Sequence, residues 1–260
     1  MNAASLARLR HANTLRAEWT KLRTVAGTGW LLLGVVVVTV AVSAGTDAAG
    51  ICTSSAGCHP DVTRLSLTGA DVGQAVVAIM AVLAVTGEYG TGMIRTTLAA
   101  MPRRTAVLAA KAAVVGGVTL AAGTVAVLGS VLAGELILPG HGLTLPGGPM
   151  LRAAAGTVLY LTLIALLSLG VATAVRDSAV AIGMVLGLLY VFPILGQVVS
   201  SPPWQRHLQQ LGPMTAGLEI QASSGLGHLP IGPWAGLGVL AAWAAAALLG
   251  GGLLLRLRDA

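Results

Sequence analysis

Charged side chains are scarce in this sequence. Of its 260 residues, 15 are Lys or Arg and 9 are Asp or Glu, which together make up 9% of the chain. A soluble globular domain carries roughly 25% charged residues, whereas 55% of this chain is hydrophobic. So few polar groups cannot cover a surface that faces water, and the composition excludes an ordinary soluble domain.

Aromatic residues are also few, with one Phe and three Tyr in the chain. Proteins that hold single-stranded nucleic acid stack its bases on aromatic side chains. This chain has a net charge of +6 but few aromatic side chains on which bases could stack. The basic residues lie between apolar runs rather than along one face. We therefore expect no nucleic acid partner, and the enrichment of Lys and Arg in cytoplasmic loops of membrane proteins explains the charge better.

Signatures of catalysis and nucleotide binding are missing as well. The sequence contains no G-x-x-x-x-G-K-[ST], no H-E-x-x-H and no G-x-S-x-G, the motifs of P-loop proteins, metalloproteases and serine hydrolases. The five histidines are scattered, and no Cys–His spacing typical of a zinc site is present. We predict no catalytic, cofactor-binding or metal-binding residues in this chain.

Long apolar runs are what the sequence does contain. A membrane-spanning helix needs about 20 mostly apolar residues, and six stretches meet this requirement. The sequence therefore predicts an all-α integral membrane protein of six transmembrane helices, whose many Gly and Ala residues let helix backbones approach closely. The predicted spans are Thr28–Ala44, Asp71–Gly87, Val107–Leu132, Leu151–Val175, Ala179–Val199 and Trp234–Leu255.

The distribution of basic residues predicts the orientation. With the N-terminus inside, 12 of the 15 Lys and Arg residues fall in cytoplasmic segments. The other side receives only Arg64, Arg152 and Arg206. This asymmetry predicts that both termini are cytoplasmic. The first apolar run lacks a small-residue cleavage pattern, so we interpret it as a retained helix rather than a signal peptide.

The segment before the first span is amphipathic. Leu15, Trp19, Leu22 and Val25 follow one another at spacings of four, three and three, which places them on one helical face. We predict that residues 1–27 include a helix in the inner membrane interface and that residues 28–260 form the transmembrane domain. The alternative is a simple flank whose charges only set the orientation.

The predicted cytoplasmic loop between the second and third spans is more structured than a passive connection requires. Met93, Ile94 and Leu98 would give a short helix an apolar face, and Thr91 or Thr96 could cap it. Glu88 at the exit of the second span is expected close to basic residues of the same loop, which makes an ion-paired turn. The positive-inside rule does not explain Glu88. For the basic residues Arg103, Arg104 and Lys111, that rule is as good an explanation as a role in an ion-paired turn.

The two remaining loops of interest are predicted on the opposite side. The first holds Cys52 and Cys58, which could form a short disulfide in an oxidising compartment or remain two free thiols. The other, Ser200–Pro233, contains Trp204, Leu208 and Leu211 at spacings of four and three. That spacing predicts a short amphipathic helix on the outer membrane face.

Two stretches of the sequence carry a family resemblance. One is Glu18-Trp19-Thr20-Lys21-Leu22-Arg23-Thr24 before the first span, and the other is Glu88-Tyr89-x-Thr-Gly-Met-Ile-Arg-Thr-Thr-Leu, followed by Pro-Arg-Arg and Lys111. In order and spacing along nearly the whole chain, the sequence resembles the permease subunits of actinobacterial ABC-2 type transporters. The two quoted motifs are its most specific part.

The resemblance implies a connecting helix and a coupling helix that dock on a separate ATPase subunit, which binds ATP and Mg. It further implies two permease copies, identical or homologous, in the bacterial plasma membrane, surrounded by lipids. They would export a hydrophobic or amphipathic substrate, such as a drug, an antibiotic or a lipid, by alternating access. The implied connecting-helix residues are Glu18, Trp19, Lys21, Leu22 and Arg23. The implied coupling residues are Glu88, Tyr89, Thr91, Gly92, Met93, Ile94, Arg95, Leu98, Arg103 and Arg104.

Two other classes of function stay open from the residues alone. An ion-coupled secondary transporter would need inverted repeats or broken helices with buried ionisable groups, and only Pro193 interrupts a predicted span. A membrane anchor or sensor subunit without transport would bind a partner other than an ATPase through the same cytoplasmic motifs.

Overall fold

The computed structural model describes residues 17–21, 26–49, 61–93, 104–137 and 148–257, and this part of the chain is helical without strands. Six helices are long and apolar enough to cross a membrane, which confirms the predicted number of spans. The described helices are α1 (Ala26–Ala49), α2 (Val62–Leu67), α3 (Ala70–Gly90), α4 (Arg104–Ile137), α5 (Gly148–Val175), α6 (Ser178–Val198), α7 (Pro202–Leu211), α8 (Pro213–Leu218) and α9 (Pro233–Leu257). The six long apolar helices are α1, α3, α4, α5, α6 and α9.

Several spanning helices extend beyond their predicted ends. Helix α1 continues past Ala44 to Ala49, where polar residues interrupt the apolar run. Those residues have partners inside the protein: the Thr46 hydroxyl donates to the carbonyl oxygen of Leu65 at 3.2 Å. Because tertiary contacts give partners to the Thr46 hydroxyl and to one carboxylate oxygen of Asp47, the helix does not have to end where the hydropathy falls.

Helix α5 lies at the centre of the bundle and packs against α3, α4, α6 and α9. Its side chains Tyr160, Leu161 and Ile164 are fully buried in the main apolar core. Helices α1, α6 and α9 lie at the periphery and leave large apolar side chains exposed, among them Trp30 and Leu249. Exposed apolar faces on long peripheral helices are what a lipid environment requires.

Small residues bring the helices together at two crossings. A side-chain carbon added at Gly69 would lie 1.9 Å from the backbone oxygen of Thr39 in α1. In the same way, a carbon added at Gly170 would lie 2.5 Å from the backbone of Ala247 in α9. These contacts agree with the expected role of small residues in packing spanning helices.

The segment between α6 and α9 forms a cap of short helices. Helix α7 contains Trp204, Leu208 and Leu211 and confirms the predicted short amphipathic helix. Trp204 and Leu211 are 66% and 59% exposed. Two 3₁₀ turns, Glu219–Gln221 and Leu226–His228, complete the cap.

Candidate functional site

A buried cluster of alternating charges joins the two sequence motifs at one end of the bundle, which we call the ion-pair end. Lys111 Nζ lies 2.8 Å from Glu18 Oε2 and 2.9 Å from Glu88 Oε1. Lys21 Nζ lies 3.1 Å from Glu18 Oε1 and 3.0 Å from Glu88 Oε1. The four side chains therefore form a closed ring in which each lysine contacts both carboxylates. We call this ring the ion-pair cluster.

Three separate parts of the chain supply the cluster. Glu18 and Lys21 lie one turn apart in the helical residues 17–21, so both side chains point the same way. Glu88 lies in the last turn of α3, and Lys111 lies in the second turn of α4. The cluster thus ties the segment before α1 to the adjacent ends of α3 and α4.

Burial and pairing determine the electrostatics of the cluster. Burial alone would raise the pKa of Glu18, but its attraction to Lys111 and Lys21 and their hydrogen bonds hold that pKa below its ordinary value. Burial alone would lower the pKa of Lys21, but hydrogen bonding to Glu88 and the two nearby carboxylates raise it above its ordinary value. Both shifts favour the charged forms of Glu18 and Lys21.

Lys111 is the centre of the cluster. Its side chain is only 8% exposed, and besides the two carboxylates its ammonium contacts the carbonyl oxygen of Ala84 at 3.2 Å. Three acceptors match the three N–H donors of a lysine. From the sequence, the position of Lys111 near the start of a span predicts that its side chain reaches the interface, not that it is buried. Its partner Glu18 lies 93 residues away in the chain.

Glu88 has two partners in the described residues, Lys21 and Lys111. The side chains of the basic residues in its own loop, with which we predicted an ion-paired turn, lie outside the described part of the chain. Its second oxygen, Oε2, is buried and has no hydrogen-bond partner in the described part of the chain. Glu88 therefore connects α3 to α4 and to the segment before α1.

Other residues to which the family resemblance assigns a coupling role lie at the end of α3. The Arg176 guanidinium lies over the Tyr89 ring, 5.4 Å from its centre, which joins α3 to the turn between α5 and α6. The Thr91 hydroxyl donates to the carbonyl oxygen of Gly87 at 2.9 Å, so Thr91 caps the C-terminus of α3. Gly92 follows with a φ of 70°, in the left-handed region that glycine adopts most easily, and Met93 is 45% exposed.

The remaining predicted residues lie outside the described part of the chain, apart from Trp19. Trp19 is 53% exposed and borders a groove between α1 and α4 together with Leu33 and Val118. The predicted residues of which the structure describes nothing are Leu22, Arg23, Cys52, Cys58, Ile94, Arg95, Leu98 and Arg103, together with the side chain of Arg104.

A second polar network closes the opposite end of the bundle. Asp61 caps α2 and also accepts hydrogen bonds from both the backbone and the hydroxyl groups of Ser223 and Ser224, at 2.6 to 3.1 Å. Burial would raise the pKa of Asp61, but these hydrogen bonds hold it below its ordinary value. The network fixes the cap between α6 and α9 onto α2. We know of no sequence pattern that pairs these residues.

Neither network has the features of a catalytic or metal centre. No group of three or more His, Cys, Asp or Glu residues arranged to hold a metal occurs in the described ranges. The ion-pair cluster holds three segments of the chain together. Comparison with known proteins adds no candidate, since no family model and no curated protein matches the chain.

Proposed function

We propose that this chain is the membrane-spanning permease subunit of an ATP-driven exporter of the ABC-2 type. ATP would be bound and hydrolysed by a separate subunit, and two permease chains would together form the path for a hydrophobic or amphipathic substrate. The ion-pair end would face the cytoplasm, in the bacterial plasma membrane. The observation that carries this proposal is that Glu18 and Glu88, one from each resembling motif, share the cation Lys111.

The arrangement supports a mechanical role for the cluster. A partner that pushes on the loop after α3 or on the segment before α1 would act on groups that are connected through Lys111 to α4. A break in a buried ion pair is costly because it leaves an uncompensated charge. The three segments would therefore move together when the ATPase subunit closes, and the movement would reach the spanning helices.

Purification of the tagged chain from its native membranes in mild detergent tests the proposal. The eluate should contain a P-loop protein and should hydrolyse ATP in a vanadate-sensitive manner. Introduction of Lys111→Met should reduce the ATPase recovered, because the docking segments lose their common anchor. A chain that elutes without any ATPase, in several detergents, would remove the main support for the proposal.

One observation favours a second candidate, an ion-coupled secondary transporter. Asp47 in α1 is fully buried, and its Oδ1 accepts a hydrogen bond from Ser66 at 3.0 Å. Its Oδ2 atom has no hydrogen-bond partner in the described ranges. Buried carboxyl groups inside membrane proteins often bind or relay ions.

Asp47→Asn separates the two candidates. For the ATP-driven exporter we expect ATP-dependent uptake into inverted membrane vesicles to stay within about twofold of wild type, since Asn keeps the size and the hydrogen bond to Ser66. For an ion-coupled transporter we expect substrate movement driven by a proton or sodium gradient to be lost. The measurement compares uptake into vesicles energised by ATP and by an imposed gradient.

A further inference from the structure

A groove of about 520 Å³ lies between the start of α4 and the end of α9. It is separate from the groove that Trp19 borders, and no residue of the ion-pair cluster lines it. Its volume falls in the range of small-ligand sites, about 300–1,000 Å³. The two helices supply its apolar walls, which include Leu108, Ala109, Ala112, Leu248, Leu249 and Leu253.

The groove is open at the surface of the bundle. Leu249 and Leu253 on its α9 wall are 74% and 56% exposed. Gly252, which also lines the groove, is buried where the helices meet, because a side-chain carbon added there would lie 3.3 Å from Leu108 Cδ2. An acyl chain can therefore enter the groove from the surrounding membrane and lie along both helices.

One end of the groove is polar. Thr105 lies in the first turn of α4 and Arg256 in the last turn of α9, so both lie at the ion-pair end of the bundle. Both residues are exposed. Arginine stays protonated in proteins and presents five N–H donors. Within the described part of the chain, the Arg256 side chain has no ion pair and no hydrogen bond.

The charge of the groove limits the ligand. Arg256 is the one charged residue among the described residues that line it. The ion-pair cluster differs, since its lysines already contact carboxylates. A guanidinium binds a phosphate group through two parallel hydrogen bonds. A zwitterionic lipid also brings an ammonium, for which the lining offers no carboxylate, so a head group with a net negative charge fits best.

We propose that this groove binds an anionic phospholipid of the phosphatidylglycerol class. Its phosphate accepts hydrogen bonds from the Arg256 guanidinium, Thr105 adds a hydroxyl donor at the same end, and one acyl chain lies between α4 and α9. Basic pockets between spanning helices bind anionic head groups in this way. The site needs no ATPase and no residue of the ion-pair cluster, so it is independent of the proposed function.

Native mass spectrometry of the full chain in detergent tests the proposal, with phosphatidylglycerol and phosphatidylethanolamine of identical acyl chains as ligands. We expect phosphatidylglycerol to bind about tenfold more tightly, the effect of one charge-assisted contact. Arg256→Gln should reduce this preference to less than about twofold. Arg206→Gln is the matched control and should keep the preference, because Arg206 in α7 is exposed as well but does not line the groove.

A second pair of variants tests the apolar part of the groove. Ala109 is exposed and lines the groove, so Ala109→Leu places a larger side chain in the path of the acyl chain. Ala246 in α9 is also exposed but does not line the groove, which makes Ala246→Leu the control. We expect Ala109→Leu to weaken phosphatidylglycerol binding about fivefold or more and Ala246→Leu to leave it within about twofold of wild type.

Three results would overturn the proposal. The first is equal binding of the two lipids by wild type. The second is an equal loss of preference in Arg256→Gln and Arg206→Gln, which would indicate attraction to the net positive charge of the chain. The third is unchanged binding by Ala109→Leu. Size-exclusion chromatography and helical circular dichroism check that each variant is folded.

Discussion

At the scale of single residues, Lys111 decides whether the ion-pair cluster is stable. Its removal leaves Glu18 and Glu88 buried with Lys21 as the remaining cation of the cluster. We expect Lys111→Met to lower the free energy of unfolding by about 3–5 kcal/mol, the cost of breaking a buried ion pair on one side. Unfolding in mixed detergent micelles, followed by circular dichroism, measures this change.

The double variant Glu18→Gln, Lys111→Met is the control for that measurement. It removes one negative charge together with the positive one, so it should be more stable than Lys111→Met alone. A free energy of unfolding for Lys111→Met within about 0.5 kcal/mol of wild type, the usual range for surface substitutions, would contradict the role of the cluster.

At the opposite end of the bundle, Asp61 is the residue whose loss should cost the most stability. Asp177 caps α6 in the same way, with a hydrogen bond from the Val180 amide at 2.9 Å, but among the described residues it has no hydrogen bond across loops. We expect Asp177→Ala to cost about 1 kcal/mol, the value of an N-cap. Asp61→Ala should cost about 2–4 kcal/mol, because the bonds from Ser223 and Ser224 are lost as well. Unfolding measurements on both variants give the difference, and equal costs would contradict the cross-loop role.

The contribution of Asp61 also depends on pH. Its pKa in the folded protein lies below the ordinary value of 3.8, so the unfolded chain binds the proton more readily. The stabilisation is therefore complete above about pH 4 and is lost as the pH falls through the folded pKa. The stability difference between wild type and Asp61→Asn should shrink over this acidic range.

At the scale of the elements, the crossing of α1 with the start of α3 depends on Gly69. A methyl group there would meet the Thr39 backbone oxygen at 1.9 Å and the Ser43 hydroxyl at 2.6 Å. Because a backbone oxygen cannot rotate away, the helices must separate. We expect Gly69→Ala to lower the free energy of unfolding by about 1–3 kcal/mol, as overpacking does. The control is Gly45→Ala, where an added carbon meets nothing within 4 Å, and a loss there of the same size would contradict the account.

The spanning helices were predictable because the length of an apolar run is a local property of the sequence. Their ends were not, since Thr46 and Asp47 look like loop residues until their partners Leu65 and Ser66 are known. Helix α2 was missed because six residues around Arg64 carry too little periodicity to indicate a helix. The amphipathic helix α7 was found from its spacing alone.

The candidate site was only partly predictable for a related reason. Glu88 was predicted as a site residue because the positive-inside rule does not explain an acid at that position. Glu18 was predicted because it lies in the motif before the first span that carries the family resemblance. Nothing local connected either residue to Lys111, because the contacts join segments that are 23 and 93 residues apart. One signal was available: a lysine just inside a span and an acid at the exit of the preceding span lie at the same depth.

At the scale of the whole molecule, the six-span bundle has two differently constructed ends. Ion pairs hold the ion-pair end, whereas hydrogen bonds that Ser223 and Ser224 donate to Asp61 hold the cap at the opposite end. If the chain works with an ATPase, the partner should contact the ion-pair end alone. Proximity of the partner to one end is therefore the central claim to test.

Position-specific photo-crosslinking in native membranes makes this test most directly. Benzoylphenylalanine replaces Met93 at the ion-pair end or, as the matched control, Leu226 in the cap, which is similarly exposed at 44%. The account predicts that the Met93 variant captures a P-loop ATPase on irradiation and that the Leu226 variant does not. Capture of the ATPase from Leu226, or from neither position, would contradict it.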